Sequence, residues 1–198
     1  MFPLGTVLFP GAPLPLHVFE PRYRAMTEDL LRGNGEFGVV LIERGREVGG
    51  GDLRFATGTV ARIVEAARTP DGRWMLAAVG TRRLRVTEWL PDDPYPRAYV
   101  EHPADVVAAG SHLERIRRVE RALRRVHAMR AELGTRASLD IDLPDEPVAA
   151  SYAAATLAGL GSLDTYGLLD LDDAAVRLDQ LAVLLDEEAT ILDFRLAQ

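Results

Sequence analysis

An α+β fold is what the sequence predicts, with a β-rich first half followed by a helical second half, and three observations predict it. Short apolar runs punctuated by proline and glycine fill the chain as far as His102-Pro103, as strands joined by tight turns require. From Asp105 onward the apolar spacing becomes helical, with Leu113, Ile116, Val119, Leu123, Val126 and Leu133 on one stripe. A single helical start, at Glu20-Pro21, interrupts the first half. We therefore expect a β-rich subdomain over 1–104 with one inserted helix, then a helical bundle over 105–198.

The stretch Phe2 to Tyr23, FPLGTVLFPGAPLPLHVFEPRY, is expected to set two strands, two turns and the start of a helix. The apolar run Val7-Leu8-Phe9 stops at Pro10-Gly11, where proline presets φ for the first corner and glycine supplies positive φ for the second, so a type II turn is predicted. Leu14, Leu16 and Val18 alternate with Pro15, His17 and Phe19, the pattern of a half-buried strand whose prolines put it at a sheet edge. Pro21 suits the first helical position because its missing N–H would be unpaired there, and Tyr23, Met26, Leu30 and Leu31 continue at helical spacing.

Asn34-Gly35 then turns the chain into a buried strand, Phe37 to Ile42. Gly45 to Asp52, with Gly49, Gly50 and Gly51 in a row, is read as a loop, since the G-x-x-x-x-G-K-[ST] phosphate-binding pattern is missing. Phe55 to Ala67 is a long strand that Thr69-Pro-Asp-Gly72 folds back, so Trp74 to Val79 returns antiparallel. Gly80 is expected to bend the chain into a separate strand bearing Leu84 and Val86, and Tyr95 to Val100 closes the β-rich part. In the second half Gly134 stops the first helix. Pro147 to Leu160 is an alanine-rich helix that lets a neighbour approach closely, Ser162 caps a short successor, and Asp172 or Asp173 caps one long helix reaching almost to the C-terminus.

FPLGTVLFPG and PLHVFEPRYRAM are followed in order by GTVARI at Gly58 to Ile63, PDG at Pro70 to Gly72 and VGTRRLRV at Val79 to Val86. This series resembles the N-terminal domain of the Lon protease family, in the form of stand-alone bacterial LON substrate-binding domain proteins. The likeness is strong before Pro103; LLDLDDAAVRLDQLAVLL, Leu168 to Leu185, resembles the family's helical part less specifically. The resemblance implies a PUA-like twisted β pseudo-barrel with one inserted helix and a C-terminal α-helical bundle. It also implies recognition of unfolded or extended polypeptide, with a protease or chaperone as a further partner.

Composition narrows the chemistry. The 198 residues are 47% hydrophobic and carry a formal charge of −7, which argues against a chain built as a whole to coat nucleic acid or anionic membrane. There is no cysteine, so disulfides, thiolate metal sites and cysteine nucleophiles are excluded, and a reducing, cytoplasmic setting is expected. No segment approaches the roughly 20 apolar residues of a membrane span. All 23 basic residues are arginine. Without lysine there is neither a Walker A lysine nor a serine–lysine dyad, so a Lon relative of this length is expected to keep recognition and lack both the ATPase and the peptidase.

No constellation carries catalysis or a cofactor, so a non-enzyme is expected. His112 and His127 would stand about 22 Å apart on one helix, too far to share a metal. Ser111 beside His112 is not a dyad, because neighbouring helical residues diverge. Arg115, Arg117, Arg118, Arg121, Arg124, Arg125 and Arg130 share a helix, but the acid-rich region after Gly134 can pair with them, and nucleic acid is the lesser reading. The polypeptide-site candidates are Phe19, Glu20, Arg22 and Tyr23. One reading makes them a structural corner, Phe19 buried and Tyr23 packed beneath the helix; the other has Phe19 and Tyr23 rim a groove for extended polypeptide. The function expected is non-catalytic polypeptide binding, substrate-recognition or adaptor-like. The alternatives are a PUA-like nucleic-acid or small-ligand module and, with least support, an enzyme acting through ordinary carboxylates.

Overall fold

A computed structural model describes residues 1–45, 47, 51–135 and 140–197. It divides into two compact units, Met1–Ala104 and Asp105–Gln198. The first holds β1 (Phe2–Leu4), β2 (Pro13–Val18), α1 (Pro21–Arg32), β3 (Glu36–Arg44), β4 (Leu53–Arg68), β5 (Trp74–Leu90) and β6 (Arg97–Glu101). These strands form one mixed sheet along the path β1-β3-β4-β5-β2, with β6 also on β5. Only β1 and β3 run parallel. The expected loop around Gly49 and Gly50 falls on 46 and 48–50, outside the described residues.

Two strand expectations are corrected. The first strand is Phe2–Leu4, paired with Val39 to Leu41, and Val7 to Phe9 is not a strand although Leu8 and Phe9 are buried. Its backbone is satisfied from outside a ladder: the Leu8 carbonyl accepts from Thr59 Oγ1 at 2.5 Å, and the Phe9 carbonyl accepts from Ala12 N at 3.1 Å. That second bond closes the type II turn, with Gly11 at φ +83°. The other correction is at Gly80. One 17-residue strand runs unbroken from Trp74 to Leu90, absorbing the bend as a one-residue slip: Gly80 faces Ala61 while Arg82 faces Val60. Glycine is needed there for space, since a Cβ would lie 2.2 Å from the Phe9 carbonyl oxygen.

The Thr69–Gly72 turn has Gly72 at φ +82° and Gly72 N donating to the Thr69 carbonyl at 2.9 Å. Beyond Glu36 the outer edge of β4 has no strand beside it. There the turn after α1 supplies one partner, Ile63 N donating to the Gly35 carbonyl at 3.0 Å, and Glu28 of α1 reaches Arg68 at 3.7 Å. Val40, Val60 and Leu84 form the core beneath, with Met1, Val86 and Trp89 packed against them.

The second unit is helical: α2 (Leu113–Glu132), α3 (Pro147–Ala158), α4 (Ser162–Asp170) and α5 (Ala174–Leu196). Ala150, Ala154, Ala155 and Ala158 are buried where α3 packs on α2 and α5, the close approach that small side chains permit. Asp173 caps α5, accepting from Ala175 N at 2.7 Å, and Gly159 ends α3 at φ +59°. Ser162 is not a cap. It is the first residue inside α4, and Gly161 holds the cap position in an extended conformation.

A fully buried arginine, Arg177, organises this unit. Its guanidinium donates to the Leu168 carbonyl (3.0 Å), Ser151 Oγ (2.8 Å), Asp105 (3.0 Å) and the Leu171 carbonyl (2.5 Å), and stands 4.2 Å from the centre of the Tyr152 ring. The planar fork of arginine suits such a four-way arrangement; the point charge of lysine does not.

Candidate functional site

The Phe19–Tyr23 corner is built by the change from strand to helix. Val18, the last residue of β2, is buried opposite Trp74. Glu20 stays extended (φ −67°, ψ 137°), and Pro21 opens α1. From there the two aromatics part. Tyr23 lies on the same helical face as Met26 and Thr27, three and four residues on, and is 3% exposed. Phe19 precedes the helix, belongs to no buried face, and is 46% exposed, with the His17 ring 6.2 Å away. Neither sequence reading holds whole: Phe19 is not buried as a structural corner requires, and Tyr23 is floor rather than rim.

Tyr23 stacks on Phe2 with ring centres 4.2 Å apart and planes 12° from parallel. Burial, the largest influence, pushes its hydroxyl pKa up to about 12, opposed by the Arg22 charge. The Arg22 guanidinium lies 4.5 Å above the Tyr23 ring and pairs with Glu20 at 3.2 Å, and its other end reaches the Glu47 carbonyl at 3.4 Å. Glu20 and Arg22 therefore brace the corner.

Beside it lies a cleft of about 180 Å³, lined by Phe2 and Leu4 of β1, Leu16 and Val18 of β2, and Phe19 and Tyr23. Because β1 and β2 are opposite ends of the strand path, the sheet must curl until its two ends share this cleft. That is the partly closed, PUA-like form. Reasoning from the sequence missed Phe2 and Leu4. Their place depends on the parallel register of β1 against β3, which no local pattern signals.

The arginine helix is largely engaged. Arg115 pairs with Asp179 (3.0 Å), Arg118 with Asp186 (3.4 Å), Arg125 with Asp193 (2.8 Å) and Arg130 with Glu188 (2.8 Å), while Arg124 bonds Glu120 (3.2 Å). The first three pairs ascend together on α2 and α5. Glu114 pairs with Arg117 at 3.4 Å, one residue short of Arg118, which is drawn to α5. Among the described residues there is no cluster of histidine and carboxylate side chains able to hold a metal, and no helix is long and apolar enough to cross a membrane.

Comparison with known proteins adds four findings. A family model, the ATP-dependent protease La (LON) substrate-binding domain, matches residues 1–187. Lon protease 2 of Myxococcus xanthus is 34% identical over 124 residues, covering 58% of this chain and 15% of its own length, so the chain spans a small part of that relative. The crystal structure of a Lon N-terminal domain protein from Xanthomonas campestris superposes with a TM-score of 0.65 at 30% identity, covering 92% of this chain and 95% of that one. The N-terminal domain of Mycobacterium avium complex Lon protease reaches 0.66 at 16% identity, covering 95% and 96%, and speaks for the fold alone.

Proposed function

The chain belongs to the ATP-dependent protease La (LON) substrate-binding domain family, and from that premise we propose that it binds unfolded or extended polypeptide without catalysing a reaction, acting in substrate recognition or as an adaptor that passes its client to a protease or chaperone. The observation that carries the assignment of a site is the half-exposed Phe19 at the mouth of the β1–β2 cleft. A large apolar ring held in the open by a braced corner, above an aromatic floor, is the anchor that an apolar side chain of a client needs. Glu20 and Arg22 position that ring, and Tyr23 supplies the floor.

The test is Phe19→Ala, with an unfolded model protein as ligand and thermal melting measured alongside. Affinity should fall at least about tenfold, a modest value for an aromatic anchor, with the melting temperature little changed. Tyr23→Ala, by contrast, removes a buried ring and should cost about 3–5 kcal/mol of stability. If Phe19→Ala melts normally and binds as before, the site lies elsewhere.

A further inference from the structure

The outer edge of β2 carries information that the cleft does not. Gly80 N donates to the Ala12 carbonyl at 2.9 Å, and the register places Pro13 opposite Val79 and Pro15 opposite Ala77. Backbone groups alternate sides along a strand, so Leu14, Leu16 and Val18 address β5, and Pro13, Pro15 and His17 turn their backbone groups away from the sheet. Among the described residues, nothing bonds the carbonyls of Pro13, Pro15 and His17 or the N–H of His17. Because proline has no N–H, this edge offers three acceptors and one donor.

Resting on the polypeptide-binding site proposed above, we infer that the client is held by its main chain as well as by an apolar side chain. An extended segment adds to the outer edge of β2, donating alternate N–H groups to the carbonyls of Pro13, Pro15 and His17 and accepting one bond from His17 N–H. The occupant is a foreign chain, not a second copy of this one. Two β2 edges laid antiparallel would face Pro15 with Pro15, neither a donor, and would form only the two bonds that His17 can give. A client strand without proline at the alternating positions satisfies all four groups of the edge. The prolines thus block self-pairing, the usual hazard of an open edge, and leave the acceptors available. The edge borders the cleft, since Pro15, Leu16, His17 and Val18 all line it, so main-chain pairing and side-chain anchoring fall on one segment.

Reduced, carboxymethylated α-lactalbumin, which cannot fold, serves as the probe, and the readout is exchange of the His17 amide in the free and bound protein. Pairing predicts at least a tenfold slowing of His17 exchange on binding. It also predicts that Pro15→Ala, which adds an N–H to the edge, binds about threefold to tenfold more tightly, as one further backbone hydrogen bond would, with melting measured in parallel. Unchanged exchange at His17, with affinity still lost in Phe19→Ala, overturns the edge pairing and leaves the site standing. Unchanged exchange together with full affinity in Phe19→Ala removes the site itself. Dimerisation of the wild-type protein that slows His17 exchange without probe would show the occupant to be a second copy and overturn the inference.

Discussion

Replacing Arg177 by methionine should cripple the helical unit. The substitution keeps much of the side chain's volume but removes every donor from a site that is fully enclosed. Four acceptors lose a hydrogen bond: the carbonyls of Leu168 and Leu171, Ser151 Oγ, and the Asp105 carboxylate, which also accepts from the Tyr152 hydroxyl. Breaking a buried ion pair by deleting one partner costs about 3–5 kcal/mol, and the partial exposure of Asp105, 22%, puts this pair toward the lower end. That is a large fraction of the about 5–15 kcal/mol holding a domain together. Arg125→Met is the control, since it opens an exposed pair with Asp193 and should cost under about 1 kcal/mol. Urea unfolding followed at 222 nm reads the helices of the second unit, and fluorescence reads the first, which holds both tryptophans, Trp74 and Trp89. Equal losses for the two variants in the 222 nm transition would refute the reasoning.

Gly80→Ala should destabilise the β unit by about 2 kcal/mol or more, because its Cβ must displace the Phe9 backbone 2.2 Å away; a melting curve matching wild type would show that the segment has room. Tyr23 should ionise near pH 12, and the corresponding step in absorbance at 295 nm should vanish in Tyr23→Phe. Since its folded pKa is raised, its contribution to stability is whole below about pH 10, the unfolded value, and is lost as pH rises through about 12; Tyr23→Phe should abolish that loss. Binding of RNA or single-stranded DNA at physiological salt should stay in the nonspecific range of about 10⁻⁴ to 10⁻⁶ M, and sub-micromolar, sequence-dependent binding would count against the pairing of the arginine helix. Arg124→Glu should lower stability more than Arg121→Glu does, because Arg124 also bonds the Ile141 carbonyl at 2.5 Å.

Local chemistry made much of the fold readable. Proline followed by glycine at 10 and 11, Thr69 to Gly72, and the aspartate before α5 act within four or five residues, and the structure shows each of them doing so. The stripe on α2 was readable for the same reason, its buried members being Ile116, Val119, Leu123 and Val126. The errors fall where a distant segment decides. Val7 to Phe9 has the composition of a strand, yet the Thr59 hydroxyl, 51 residues on, takes the Leu8 carbonyl out of any ladder. Gly80 reads as a bend, yet pairing with β4 carries β5 through it.

Sequence alone determined the α+β order, the edge character of β2 from its prolines, the absence of lysine and cysteine chemistry, and the family resemblance, because each rests on residue types or short spacings. Tertiary structure decided which candidate residues face outward. Phe19 and Tyr23 are four positions apart and both aromatic, and only the packing of α1 against Phe2 sends one ring inward and leaves the other at the cleft. It also decided that Arg177 is buried, since only the meeting of Asp105, Ser151, Leu168 and Leu171 gives that guanidinium enough partners to leave water.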